Sequence, residues 1–163
     1  MDGHAHVTPR DTTTPHPIGA QDDSGDQDVA IDDNGRTQRR TFLLVEDDEP
    51  LRSRMARALT SRGFLVLQAS TSESALSLAR HVAVQFAVVD VHLGKESGIQ
   101  LVRELTCIVP SMTIVVCSGD LSANVAQAAR VAGAVAVLAK PVALDDILGA
   151  LPATAEGPCR RSR

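Results

Sequence analysis

The sequence predicts an α/β domain, a doubly wound five-stranded parallel sheet covered by helices on both faces as three α/β/α layers. Three observations predict it. From Thr41 onward, short runs rich in β-formers alternate with amphipathic stretches at helical spacing, five of each over about 110 residues. The short runs are apolar nearly throughout and show no polar face, as expected of parallel strands buried on both sides. Right-handed crossovers through the intervening helices then place helices above and below the sheet.

The elements follow in order. "TFLLVE" is the first strand, and "EPLRSRMARALTSRG" sets Leu51, Met55, Ala58 and Leu59 at helical spacing before Gly63 stops the helix. "FLVLQA" is the second strand. "STSESALSLARH" opens on Ser and Thr capping residues and puts Ala75, Leu78 and Ala79 on one face. "VQFAVVD" is the third strand, followed by a glycine-containing loop and the helix "GIQLVRELT". "SMTIVVCS", the Ala-rich helix "SANVAQAARVAG" ended by Gly133, "AVAVLA" and "ALDDILGAL" complete the alternation before Pro152. With no Trp, no Tyr and three Phe, the core is expected to be aliphatic.

The ends of the chain read differently. Residues 1–40 hold eight Asp and four Arg and few large apolar side chains, so they carry the whole net charge of −4 and are expected to be a disordered acidic leader. His4, His6 and His16 within it are read as ordinary solvated side chains. Residues 41–151 form the folded domain and 152–163 a short flexible tail. Residues 41–163 hold twelve acids and twelve bases and offer no basic surface for direct DNA binding, and "CRRSR" is too short to supply one. There is no signal-peptide h-region and no apolar run long enough to span a membrane. Cys107, Cys117 and Cys159 form no CxxC pair, as expected of reduced thiols in the cytoplasm. Cys107 and Cys117 are read as inert structural thiols, and Cys159 as exposed.

Folds of this kind carry their sites at the carboxyl ends of the strands. The first strand delivers Glu46 and Asp47 there, the third Asp90, the fourth Ser118, and the fifth Lys140 followed by Pro141. Three carboxylates close together are costly unless a cation neutralises them. A hard, oxygen-seeking ion fits, and Mg²⁺ accepts carboxylates together with waters and phosphate oxygens. Lys140 and Ser118 would then contact a phosphoryl group held beside the metal.

In this order, and at these strand ends, the residues resemble the receiver domain of bacterial response regulators from about Thr41 to Leu151. That family has an acidic pair after the first strand, an Asp after the third, Ser or Thr after the fourth and Lys-Pro after the fifth. Gly98, eight residues beyond Asp90, and the 22-residue interval from Ser118 to Lys140 also match. The resemblance implies strand order 2-1-3-4-5, as in flavodoxin-like sheets, and Asp90 as phosphoacceptor from a histidine kinase or phosphotransfer protein. It implies Mg²⁺ held by Asp47, Asp90 and indirectly Glu46. It further implies Lys140 paired with the acyl phosphate, Ser118 moving onto a phosphoryl oxygen, and a cis Lys140–Pro141 bond. Asp48 and Glu49, the rest of the four-acid run, are read as start residues of a helix beginning at Pro50.

Some positions depart from the family. Val137 stands three residues before Lys140, where the family has an aromatic ring, and its short stiff side chain cannot act as a rocking ring. Gly94 replaces a common Pro and is expected to loosen the loop after Asp90. His92 and Asp120, each two residues beyond an active residue, either tune phosphoryl lifetime or are solvated loop side chains.

The expected function is phosphorelay signalling by a stand-alone receiver that is not a turnover enzyme. Its contacts would be with a kinase and an unidentified downstream protein, or with a second copy through the fourth helix, fifth strand and fifth helix. The wording "LLVEDDEPLRSRMARAL" and "LAKPVALDDI" is similar to receivers of redox-responsive regulators ending in a Fis-type bundle, which is not seen after Leu151. Two alternatives stand beside this reading. One is a phosphorylation-independent interaction module. The other is an Asp-nucleophile phosphatase, disfavoured because His92 occupies the place where such enzymes carry a second Asp.

Overall fold

In the computed structural model, the described residues are 29–31 and 37–152. Among the described residues nine strands and five helices follow in chain order: β1 (Val29–Ile31), β2 (Thr37–Arg39), β3 (Thr41–Val45), α1 (Glu49–Ser61), β4 (Leu65–Ala69), α2 (Ser72–His81), β5 (Phe86–Asp90), β6 (His92–Leu93), β7 (Glu96–Ser97), α3 (Gly98–Ile108), β8 (Thr113–Ser118), α4 (Ala123–Ala132), β9 (Ala136–Ala139) and α5 (Leu144–Gly149). The main sheet runs β4-β3-β5-β8-β9 with every pairing parallel, which is the 2-1-3-4-5 order in its own strands.

Alternating side chains of each strand divide between two cores, as a pleated strand requires. Leu43, Val45, Ala87, Val89, Ile114 and Val116 pack toward the face covered by α2, α3 and α4. Phe42, Leu44, Phe86, Val88, Val115 and Cys117 pack toward α1 and α5. The aliphatic expectation holds for the first core and not for the second, where all three Phe meet. Phe42 and Phe64 cross edge to face at 5.0 Å, and Phe86 lies 5.3 Å from Phe42.

Caps stop and start the helices where sequence chemistry directs. Asp48 Oδ1 accepts from Leu51 N–H at 2.8 Å, so α1 starts at Glu49, one residue before the expected Pro50. Thr71 and Ser74 form a capping box on α2. Leu76 joins Ala75 and Ala79 among the buried residues of α2, while Leu78 is only partly buried. Gly133 ends α4 at φ +117°, and a β-carbon there would meet Thr106 Oγ1 at 2.5 Å, so only glycine lets α3 and α4 close.

Three elements differ from the sequence expectation. β4 lies at the sheet edge, so Leu65 is 46% exposed and the strand is not buried on both faces. The loop after Asp90 contains a small hairpin, β6–β7, turning through Gly94 at φ +61°. β1 pairs antiparallel with β2, so these six residues are ordered locally where a structureless leader was expected. Residues 1–28 and 32–36, with His4, His6 and His16, and residues 153–163, with Cys159, lie outside the described residues. No helix among the described residues is long and apolar enough to cross a membrane.

Candidate functional site

Strand order reverses at β3, whose neighbours are β4 on one side and β5 on the other, so a crevice opens at their carboxyl ends. Register fixes what meets there. Val45 pairs with Val89, which sets Glu46 beside Asp90. Asp90 pairs with Cys117 and Ser118 with Ala139, so Ser118 and Lys140 follow on the same rim. Lys140 N–H donates to Ser118 O at 2.8 Å, continuing that register past the strand.

Glu46 and Asp90 are 3% and 5% exposed, whereas Asp47 is exposed. A carboxylate oxygen from each lies within 4.8 Å of the others. Lys140 Nζ bridges two of them, 2.7 Å from Glu46 Oε2 and 2.8 Å from Asp90 Oδ2. Burial raises the pKa of Glu46, opposed by its hydrogen bond from Lys140 and reinforced by the charge of Asp90. Burial pulls Lys140 down, but hydrogen bonds to Asp90 and Glu46 outweigh it and hold its pKa above the ordinary value. The sequence-predicted set Glu46, Asp47, Asp90, Ser118 and Lys140 is thus gathered on one rim.

Ser118 is fully buried, and its hydroxyl faces the following loop. Its Oγ donates to Asp120 O at 2.7 Å and accepts from Asp120 N–H at 3.0 Å. The Asp120 carboxylate is committed to Ser122, accepting from its N–H at 2.8 Å and its hydroxyl at 3.3 Å, just ahead of α4. His92 is exposed on β6. Val137 is partly buried and packs against the core beneath α4, so its place is occupied by hydrocarbon without a ring. The Lys140–Pro141 bond is cis, as the resemblance implies.

Sequence reasoning missed Arg52. Its Nη1 donates to Glu46 O at 2.7 Å and Asp47 O at 3.3 Å, gripping the backbone that carries the acids. An arginine in the second turn of a helix opened by acids is common, and nothing local marks this one. Gly94 N–H donates to Asp47 Oδ2 at 3.0 Å, so the glycine read as loosening the loop also contacts the acid rim.

The cysteines separate. Cys117 is 2% exposed, and burial pushes its thiol up to about 12, with Lys140 opposing. Cys107, expected to be a buried structural thiol, is exposed, because it lies four residues after exposed Arg103 on the solvent face of α3, while Ile108 beside it still packs against the core. An alkylating reagent at about pH 8 is therefore expected to label Cys107 in the folded protein and Cys117 only after unfolding. Peptide mass spectrometry checks this, and equal labelling of both in the folded state would show Cys117 to be accessible.

Comparison with known proteins gives a consistent result. The family profile described as the response regulator receiver domain matches residues 42–152. Photosynthetic apparatus regulatory protein RegA of Rhodobacter capsulatus is 36% identical over 117 residues, 72% of this chain and 64% of RegA. Acid tolerance regulatory protein ActR of Sinorhizobium medicae is 33% identical over 112 residues, 69% of this chain and 58% of ActR. The chain thus spans about three fifths of the length of these relatives. A solved response regulator from Burkholderia pseudomallei, with a phosphorylated aspartic acid, calcium ion and citrate, superposes with a TM-score of 0.68 at 38% identity, covering 71% of this chain and 68% of that one. A CheY-like receiver domain from Methanospirillum hungatei JF-1 gives 0.66 at 25% identity, covering 69% and 90%.

Proposed function

The chain belongs to the response regulator receiver domain family, and from that premise we propose that it accepts a phosphoryl group on Asp90 from a histidine kinase or phosphotransfer protein and thereby changes its protein contacts. The observation that carries this reading is the Lys140 bridge between buried Glu46 and Asp90, with Asp47 beside them. The phosphorylated aspartic acid and calcium ion of the Burkholderia relative support it.

An all-oxygen donor set with two buried carboxylates fits a hard divalent cation. Glu46, Asp47 and Asp90 would hold Mg²⁺, which when bound offsets negative charge on phosphoryl oxygens. The other steps fall to the chain's own residues. A carboxylate oxygen of Asp90 attacks the phosphorus of phosphohistidine; the P–O bond forms as the P–N bond breaks, and the imidazole leaves with the bonding pair. The Asp90 side chain is 7% exposed, and Asp47 and Gly94 on the same rim are exposed. Lys140 already donates to Asp90 and pairs with the resulting acyl phosphate. Ser118 exchanges its two bonds with the Asp120 backbone for a phosphoryl oxygen. Because Asp120 leads directly into the α4 cap, that exchange draws the β8–α4 loop inward and alters the α4 surface.

The output face in this reading is formed by α4, β9 and α5; Val131 on α4 is 71% exposed, and Val135, just ahead of β9, is 54% exposed. It would meet a downstream protein or a second copy. The domain works in the cytoplasm as a switch without turnover of a substrate, and His92 at the second-Asp position speaks against a phosphatase.

Val137 favours one other reading, a phosphorylation-independent interaction module, because no ring is present to report the state of Ser118 at the α4 surface. Incubation with acetyl phosphate or beryllofluoride plus Mg²⁺ separates the two. The wild type is expected to gain one modification or one bound analogue, and Asp90→Asn to gain none, by intact-mass spectrometry. Failure to detect any Asp90-dependent product would leave the interaction module as the reading to keep.

A further inference from the structure

Glu96 lies six residues beyond Asp90 on β7 and was given no role by the sequence. Its Oε2 accepts from Ser72 N–H at 2.7 Å, across 24 residues of chain. Ser72 is the first residue of α2, so this amide has no partner within its own helix. The carboxylate also sits at the positive end of the α2 dipole.

The bond closes a ring of contacts around the acid rim. Glu46 N–H donates to Ala69 O at 3.1 Å, tying the end of β3 to the end of β4, which leads into α2. Ser72 at the start of α2 then holds Glu96. Glu96 pairs in register with Leu93, which is 3% exposed in the core, and the chain turns between them through Gly94 and Lys95. Gly94 N–H returns the ring to β3 by donating to Asp47 Oδ2 at 3.0 Å. Hydrogen bonds from Ser72 hold the Glu96 carboxyl below its ordinary value.

We propose that Glu96 is a positioning residue for the metal and phosphoryl site: its bond to the α2 N-terminus fixes the β6–β7 hairpin so that Gly94 N–H orients the Asp47 carboxylate. This rests on Glu46, Asp47 and Asp90 binding Mg²⁺. Groups that orient a metal ligand typically change affinity by 10–100-fold when lost, and Glu96 acts one link further away, so Glu96→Ala is expected to weaken Mg²⁺ binding about three- to tenfold. Glu96→Gln keeps an acceptor for Ser72 N–H and is expected to stay within about twofold of wild type.

The test titrates Mg²⁺ alone into wild type, Glu96→Ala, Glu96→Gln and Asp47→Asn by isothermal calorimetry, with thermal unfolding of each recorded in parallel. Weaker binding by the Ala variant with recovery by Gln supports the proposal. A lowered Tm with unchanged Mg²⁺ affinity in Glu96→Ala would overturn it and leave Glu96 as a helix cap. Wild-type protein that binds no Mg²⁺, or binds it equally after Asp47→Asn, would instead remove the metal-site reading, and with it the role of Glu96.

Discussion

Replacing Lys140 by Ala is expected to destabilise the domain at neutral pH and to abolish stable phosphoryl acceptance. Lys140 is the cation between two carboxylates that are 3% and 5% exposed. Removing one partner of a fully buried ion pair costs about 3–5 kcal/mol. With the Lys140 side chain 25% exposed, solvent screens part of this, and the loss at pH 7 is expected to be about 1–3 kcal/mol. The pH dependence has a definite sign. Glu46 has a raised folded-state pKa, so the folded protein binds this proton more tightly than the unfolded chain, and stability falls as pH rises from about 4.5 through the folded value. Lys140 limits that fall, because its hydrogen bond and charge favour the ionised Glu46. Without it the window widens upward, so Lys140→Ala should lose more stability at pH 7 than at pH 5. The raised pKa of Lys140 means its own contribution is complete below 10.5 and is lost above that, as pH rises through the folded value. Urea unfolding at both pH values checks this. Equal losses at pH 5 and pH 7 would mean that the bridge to Glu46 does not form in solution.

Gly98→Ala is expected to be strongly destabilising. A β-carbon at Gly98 would lie 1.8 Å from Asp90 O, 2.8 Å from Asp90 C and 3.0 Å from Val91 Cα. All three are backbone atoms, so no side-chain rotation relieves the clash. Relief requires α3 to move away from β5, against the 2.8 Å bond from Gly98 N–H to Val91 O. Overpacking costs about 1–3 kcal/mol where side chains can adjust, and a backbone collision belongs at the upper end, about 3 kcal/mol. That corresponds to a Tm lowered by roughly 8–15 °C in a domain of this size. Because the displaced carbonyl is that of Asp90, acetyl-phosphate labelling should slow even under conditions where the variant remains folded. Gly119→Ala is the matched control, since nothing lies within 4 Å of a β-carbon there, and it should change stability by less than about 0.5 kcal/mol. Comparable losses for the two variants would contradict the close approach of α3 to Asp90.

These effects show which parts of the molecule were written locally. The layered α/β architecture follows from the sequence because apolar runs and helical spacing are short-range patterns, each readable within one element. The acid pair, Asp90, Ser118 and Lys140 were legible for a related reason: each is the last residue of, or the first after, a recognisable strand, and a parallel sheet collects such residues on one rim. Asp48 as a cap and Gly133 as a helix stop were legible from local chemistry as well.

Other features depended on contacts between distant segments. Lys140 reaches Glu46 across 94 residues, and Glu96 reaches Ser72 across 24; neither bond leaves a trace in the neighbouring sequence. The exposure of Leu65 follows from β4 being an edge strand, and the meeting of Phe42, Phe64 and Phe86 follows from the pairing of β3 with both β4 and β5. Residue order alone therefore determined the five strands of the main sheet, the five helices and the chemistry offered at the strand ends. The tertiary structure alone decided register, side-chain partners and the orientation of Ser118 toward Asp120, because these depend on where segments far apart in the chain come to lie against one another.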